Sequence, residues 1–224
     1  VASVSGGLDP RVLDRTVEGC AASHQMLLAL ADSITPQQLT EPSMLPGWTR
    51  AHVLWHLALN ARSHIHLLEC AARGERGEQY PGGVEAREAA IAEGADKSGD
   101  EIVSALRMAI FSLEGAWAHA SHDAWTGTGV NTGGAVLSMY DLPFLRWREV
   151  VVHLTDLNIG LGYDQWPDLY VRMELDRQKM MWAASHPMGL TQLPALAMRL
   201  PDKQRLAWLL RRETVDGLPE APGL

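Results

Sequence analysis

The sequence predicts a mainly α protein, with a four-helix bundle over residues 1–162 and a small C-terminal α or α+β unit over 163–224. Three observations carry this reading. Apolar residues recur at helical spacing through most of the first 160 positions. Start and stop signals bracket four long runs of that kind. After Gly162 the character changes, and proline and glycine punctuate shorter segments.

Asp9-Pro10 opens the first run, as an N-cap followed by proline at the first helical position. The run reaches about Ala31, with Val12, Leu13, Val17, Cys20, Leu27 and Leu30 along it. Thr35-x-x-Gln38 has capping-box form but opens only a short turn, because Pro42 and Pro46-Gly47 follow. Thr49 caps a long helix from Arg50 to Arg73, closed by Gly74. Residues 74–83 form a loop and 84–93 a short helix. Asp100 caps a helix over 101–119, and the glycine-rich stretch 126–134 reads as a flexible loop. Asp141-Leu142-Pro143 starts a helix that runs to Ile159 and stops at Gly160. Beyond it, Pro167-Asp168 opens a helix to Ser185, and Pro187, Gly189 and Pro194 break the chain. Residues 195–200 suit a strand or a helical turn, 206–211 a short helix, and the tail after Gly217 wraps the surface.

Composition excludes several functions. The 224 residues carry a net charge of −8, which argues against nucleic acid or an anionic membrane as partner. Residues 1–7 show no targeting pattern and no window approaches a membrane span, so a cytoplasmic protein, a monomer or weak dimer, is the expectation. There are nine histidines but only two cysteines, Cys20 and Cys70, both expected in the core. A bound metal would need His and carboxylate ligands. No GxSxG, P-loop or GxGxxG motif occurs.

The run 142–159 is apolar on nearly every side, yet Arg146, Glu149, His153 and Asp156 recur at spacings of 3, 4 and 3. They form one polar stripe on a helix that is otherwise buried. Buried charges need partners. A divalent metal held by Glu149 and His153, at i and i+4, is one solution. A salt-bridge network without metal, in a purely structural bundle, is the other. On the helix after Thr49, His52 and His56 form a second i, i+4 pair. One of them, added to Glu149 and His153, gives three ligands and an open position, the pattern of a catalytic site built between facing helices. His24, His64, His66, His119, His122 and His186 have no such pattern and read as structural or surface residues.

Gly47-Trp48-Thr49-Arg50 leading to His56-Leu57-Ala58, then Glu85-Ala86-Arg87, then Arg146-x-x-Glu149-x-x-x-His153-x-x-Asp156-Leu157 resembles the mycothiol-dependent maleylpyruvate isomerases, of the DinB-like superfamily of metal-binding helical bundles. The resemblance covers residues 9–162 well and the C-terminal unit loosely. It implies a DinB-like bundle in which His56, Glu149 and His153 bind zinc, so it selects His56 over His52. Asp156 takes the family's functional aspartate position. Arg212 takes that of a C-terminal arginine, although the family's preceding glycine is replaced by Arg211. Arg87 and Arg146 are expected to bind cofactor or substrate. The implied partners are mycothiol, a low-molecular-weight thiol, and a small dicarboxylate. The implied reaction of gentisate degradation adds the thiolate to maleylpyruvate, lets the former double bond rotate and expels the thiol to leave fumarylpyruvate. A mycothiol S-transferase acting on another electrophile would use the same zinc-thiolate chemistry.

Overall fold

The computed structural model describes residues 9–188 and 191–223. The expectations for residues 1–7 and for the break at Gly189 lie outside them. The chain divides into two compact units, parted between Leu157 and Asn158.

The first unit is a bundle of four long helices, α1 (Pro10–Ser33), α3 (Arg50–Ala72), α5 (Gly99–His119) and α7 (Leu142–Asp156). The short α2 (Pro36–Leu39) lies between the first two. Helix α3 packs along α5 and α1 along α7, and the contacts of α1 with α5 and of α3 with α7 close the ring. The core is leucine-rich, with Leu27, Leu54, Leu57, Leu67, Leu106 and Leu113 all buried. Two tryptophans fit because their neighbours lack side chains. A Cβ on Gly19 would fall within the Trp147 ring, and one on Gly94 within the Trp55 indole. Trp147 Nε1 donates to Ser23 Oγ at 2.9 Å and Trp55 Nε1 to the Ala90 carbonyl at 3.0 Å, so both indoles are satisfied as they are buried.

The outer helix α4 (Gly83–Ala95) carries Arg87 and packs on α3. Helix α5 begins two residues earlier than Asp100 would place it, because Ser98 and Glu101 make a reciprocal capping box. The glycine-rich stretch is not a plain loop. After α6 (His122–Thr126) it forms an antiparallel hairpin, β1 (Thr128–Val130) with β2 (Val136–Ser138), around a turn at Gly133-Gly134. Helix α7 ends at Asp156 rather than Ile159, since Asn158 takes a positive φ of 54°. Two bonds pin this end: Met44 N–H donates to the Asp156 carbonyl at 2.8 Å, and Arg50 Nε to the Leu157 carbonyl at 2.8 Å.

The second unit is helical among its described residues: α8 (Asp168–Ser185), α9 (Ala195–Arg199) and α10 (Asp202–Leu209). Residues 195–199 take the helical alternative. Helix α10 starts four residues earlier than its apolar core suggests, after Pro201. It ends in a Schellman motif, with Arg211 N–H donating to the Trp208 carbonyl and Arg212 N–H to the Ala207 carbonyl. Arg211 sits at the left-handed position of that motif, with φ 60°. Glycine favours this conformation, so an arginine there is strained. No described helix is long and apolar enough to cross a membrane.

Candidate metal centre

Helices α3 and α7 bring His56, Glu149 and His153 together. Their ligand atoms all lie within 4.8 Å of one another. His56 Nε2 is 2.9 Å and His153 Nε2 3.6 Å from the same Glu149 oxygen, Oε2. The two imidazoles meet edge to face at 4.9 Å, and Trp48 covers His56 at 5.6 Å. Both imidazoles are buried, whereas the Glu149 side chain keeps 28% exposure. The cluster is therefore reachable from one side.

His153 is held from behind. Its Nδ1 is 2.8 Å from Asp156 Oδ2, and that carboxylate is fully buried. A carboxylate can only accept, so Nδ1 carries a proton, and Nε2 is the nitrogen turned to the cluster, where it donates to Glu149 while the ring is charged and offers a lone pair once that proton leaves. This is the orientation a metal-ligating histidine takes when an acid fixes its tautomer. The donor set of two imidazoles and one carboxylate suits a borderline divalent ion such as zinc, so the residues fit the implied metal.

The charges follow the packing. Burial pushes the His56 pKa down to about 4; its hydrogen bond to Glu149 opposes the shift, and nearby His153 and Arg87 add to it. Burial also works against a charge on His153, but hydrogen bonds to Asp156 and Glu149 outweigh it and raise the pKa. Burial alone would raise the Glu149 pKa; hydrogen bonds from His153 and His56 reverse this and hold it well below the usual carboxylate value. The glutamate is thus ionised at neutral pH, as a ligand must be.

His52 does not join the cluster. Its Nδ1 is 2.8 Å from Thr49 Oγ1 and accepts from the Thr49 N–H at 3.3 Å, so it completes the cap of α3. The Thr49-x-x-His52 spacing was the readable signal for this. Arg87 Nη2 donates to His56 Nδ1 at 3.2 Å and stacks over Tyr80 at 5.6 Å. Arg146, expected to bind cofactor, lies fully buried with its hydrogen bonds inside the bundle. Arg212 belongs to the second unit, where Nη1 donates to the Leu210 carbonyl at 2.8 Å. Besides Cys20 Sγ, 3.7 Å from its Nε2 on the same helix, His24 has two distant partners: Glu114 Oε1 at 2.8 Å and Arg146 Nε at 3.1 Å. Those partners are 90 and 122 residues away, so no local pattern points to them.

A four-helix bundle with two histidines and a glutamate converging from facing helices defines a class, the helical-bundle proteins with an interior candidate metal site. Within it, residues 20–158 match the model of the mycothiol maleylpyruvate isomerase N-terminal domain, and the chain belongs to that family. The fold is similar to a crystal structure of the mycothiol-dependent maleylpyruvate isomerase, at TM-score 0.82 and 23% identity, over 95% of this chain and 97% of that one. A histidine-to-alanine mutant of a mycothiol-dependent maleylpyruvate isomerase matches at TM-score 0.82 and 21% identity, over 95% and 97% of the two chains. YfiT from Bacillus subtilis, described as a probable metal-dependent hydrolase with an unusual four-helix bundle topology, matches at TM-score 0.54 and 14% identity, over 68% of this chain and 89% of that one. A search of curated proteins finds no match.

Proposed function

We propose that this protein is a zinc- and mycothiol-dependent cis–trans isomerase that converts maleylpyruvate to fumarylpyruvate. The observation that carries the reading is the His56–Glu149–His153 cluster, backed by Asp156 and open beside Glu149, in a chain of this family. Bound there, zinc would lower the thiol pKa and present a thiolate, whose addition and later expulsion turn the double bond into one that can rotate.

The chain's own groups prepare for this. His56, Glu149 and His153 supply three ligands and leave a side open. Asp156 keeps the His153 proton on Nδ1. Trp48 packs against the His56 ring. Arg87 lies against His56 with a guanidinium suited to a carboxylate. Arg212 is assigned the second carboxylate by resemblance.

The test mixes zinc-loaded protein with mycothiol and maleylpyruvate and follows the cis isomer by NMR. Fumarylpyruvate appearing only when thiol and protein are both present supports the reading. A stable thiol adduct in place of the trans isomer favours S-transfer, and absence of any thiol-dependent product contradicts the isomerase reading.

A further inference from the structure

We propose that Arg146 is a positioning residue for the metal centre, the buried strut that sets the distance between His56 on one helix and Glu149 and His153 on the other. The proposal rests on the metal reading above.

Arg146 is fully enclosed in the middle of the bundle. Its Nη1 donates to the Leu57 carbonyl and to Asn60 Oδ1, each at 2.8 Å. Leu57 is the residue after His56, and Asn60 lies one turn along the same face of α3. Arg146 itself lies one turn before Glu149 on α7. The guanidinium therefore bridges the two ligand-bearing helices directly beneath the ligands.

The other edge of the fork is fixed by the remaining two helices. Nε donates to His24 Nε2 at 3.1 Å, so His24 is an acceptor there and carries its proton on Nδ1. That Nδ1–H donates to Glu114 Oε1 at 2.8 Å. The hydrogen-bonded chain Glu114–His24–Arg146–Asn60 touches α5, α1, α7 and α3 in turn. One planar group thus fixes all four helices at the level below the site.

The arrangement is a poor solution for stability alone. A buried guanidinium is costly unless every N–H is matched, and an apolar replacement of similar volume is often as stable. Here the contacts of Nε and Nη1 are with neutral acceptors, and Nη2 has no protein hydrogen-bond partner among the described residues. What the fork does supply is fixed geometry in a plane, which lysine cannot reproduce. Outer partners of metal ligands commonly alter affinity by about 10–100-fold when changed.

The test uses the full chain, stripped of metal and titrated with Co2+, in wild type, Arg146→Lys, Arg146→Met and Asn60→Ala. The readouts are the affinity and the visible ligand-field spectrum, with metal-free thermal melts alongside. We expect Arg146→Met to weaken Co2+ binding by about 10–100-fold and to change the intensity of the Co2+ bands. Arg146→Lys restores the melt more than it restores the spectrum. Asn60→Ala, which keeps the Leu57 contact, shows a smaller change in the same direction and carries the test if the Arg146 variants fail to fold. Affinities within about twofold of wild type and an unaltered spectrum, whatever the melts show, overturn the proposal. Wild type that binds no Co2+ overturns instead the metal reading on which it stands.

Discussion

The Asp156 carboxylate accepts the Nδ1 proton of His153 at 2.8 Å, one helical turn further along α7, from a fully buried position. The spacing of three residues makes this contact local, and the ring's other nitrogen is aimed at Glu149 as a result. Asp156→Asn keeps the shape but removes the charge, and its NH2 can donate to Nδ1. That stabilises the wrong tautomer. We expect zinc affinity to fall by about 10–100-fold, measured by calorimetric or competitive titration. An unchanged affinity shows that Asp156 does not orient His153.

Metal-free stability should fall on mild acidification. Burial lowers the pKa of His24 and His56 to about 4 and of His64 to about 3. The unfolded chain protonates these near pH 6.5. Between roughly pH 6.5 and 4 it therefore holds more protons than the folded state, and each neutral histidine withdraws up to about 1.4 kcal/mol per pH unit. His153 works in the opposite sense. Its raised pKa contributes stability below about pH 6.5 that is lost as pH rises through the folded value. Thermal melts in chelator from pH 7 to 5 should show a falling melting temperature. The decline should be shallower in His64→Leu, which removes one of the three. Equal slopes contradict this assignment.

Arg87 and a metal compete for the proton arrangement of His56. Arginine only donates, so its contact with Nδ1 places the imidazole proton on Nε2, the nitrogen that faces Glu149. A metal at Nε2 needs the proton on Nδ1 and so releases Arg87 towards an anion. Arg87→Met should therefore bind zinc at least as tightly as wild type while raising KM for the dicarboxylate, by about tenfold for a lost charged contact. Weaker zinc binding in this variant contradicts the exchange.

Arg211 occupies a left-handed position, φ 60°, at the end of α10. Its ion pair with Glu220 is exposed and worth little. Arg211→Gly should stabilise the protein by about 1 kcal/mol, read as a higher urea midpoint at constant slope. A lower midpoint shows that the arginine side chain outweighs the backbone strain.

Much of the site was legible because it lies on two helices with strong periodicity. Glu149, His153 and Asp156 share one stripe of an otherwise apolar run, and their spacing alone announced a buried polar face. The choice between His52 and His56 needed more than spacing, since both lie at i, i+4; in the structure His52 is taken up by the Thr49 cap while His56 faces Glu149. The interior chain from Glu114 through His24 to Arg146 was unreadable, because each contact joins different helices. The hairpin 128–130 with 136–138 was also missed. Its strands are three residues each, too short to show alternation, and their glycines read as loop.

The central claim is that His56, Glu149 and His153 form one metal site from which His52 is excluded. Equilibrium zinc titration of the metal-free protein, His52→Ala and His56→Ala tests it most directly. We expect one zinc per chain in wild type and in His52→Ala, the latter with only about 1 kcal/mol less stability from its lost cap, and loss of tight binding in His56→Ala. Absence of stoichiometric zinc in wild type, or equal losses in the two variants, would contradict the claim.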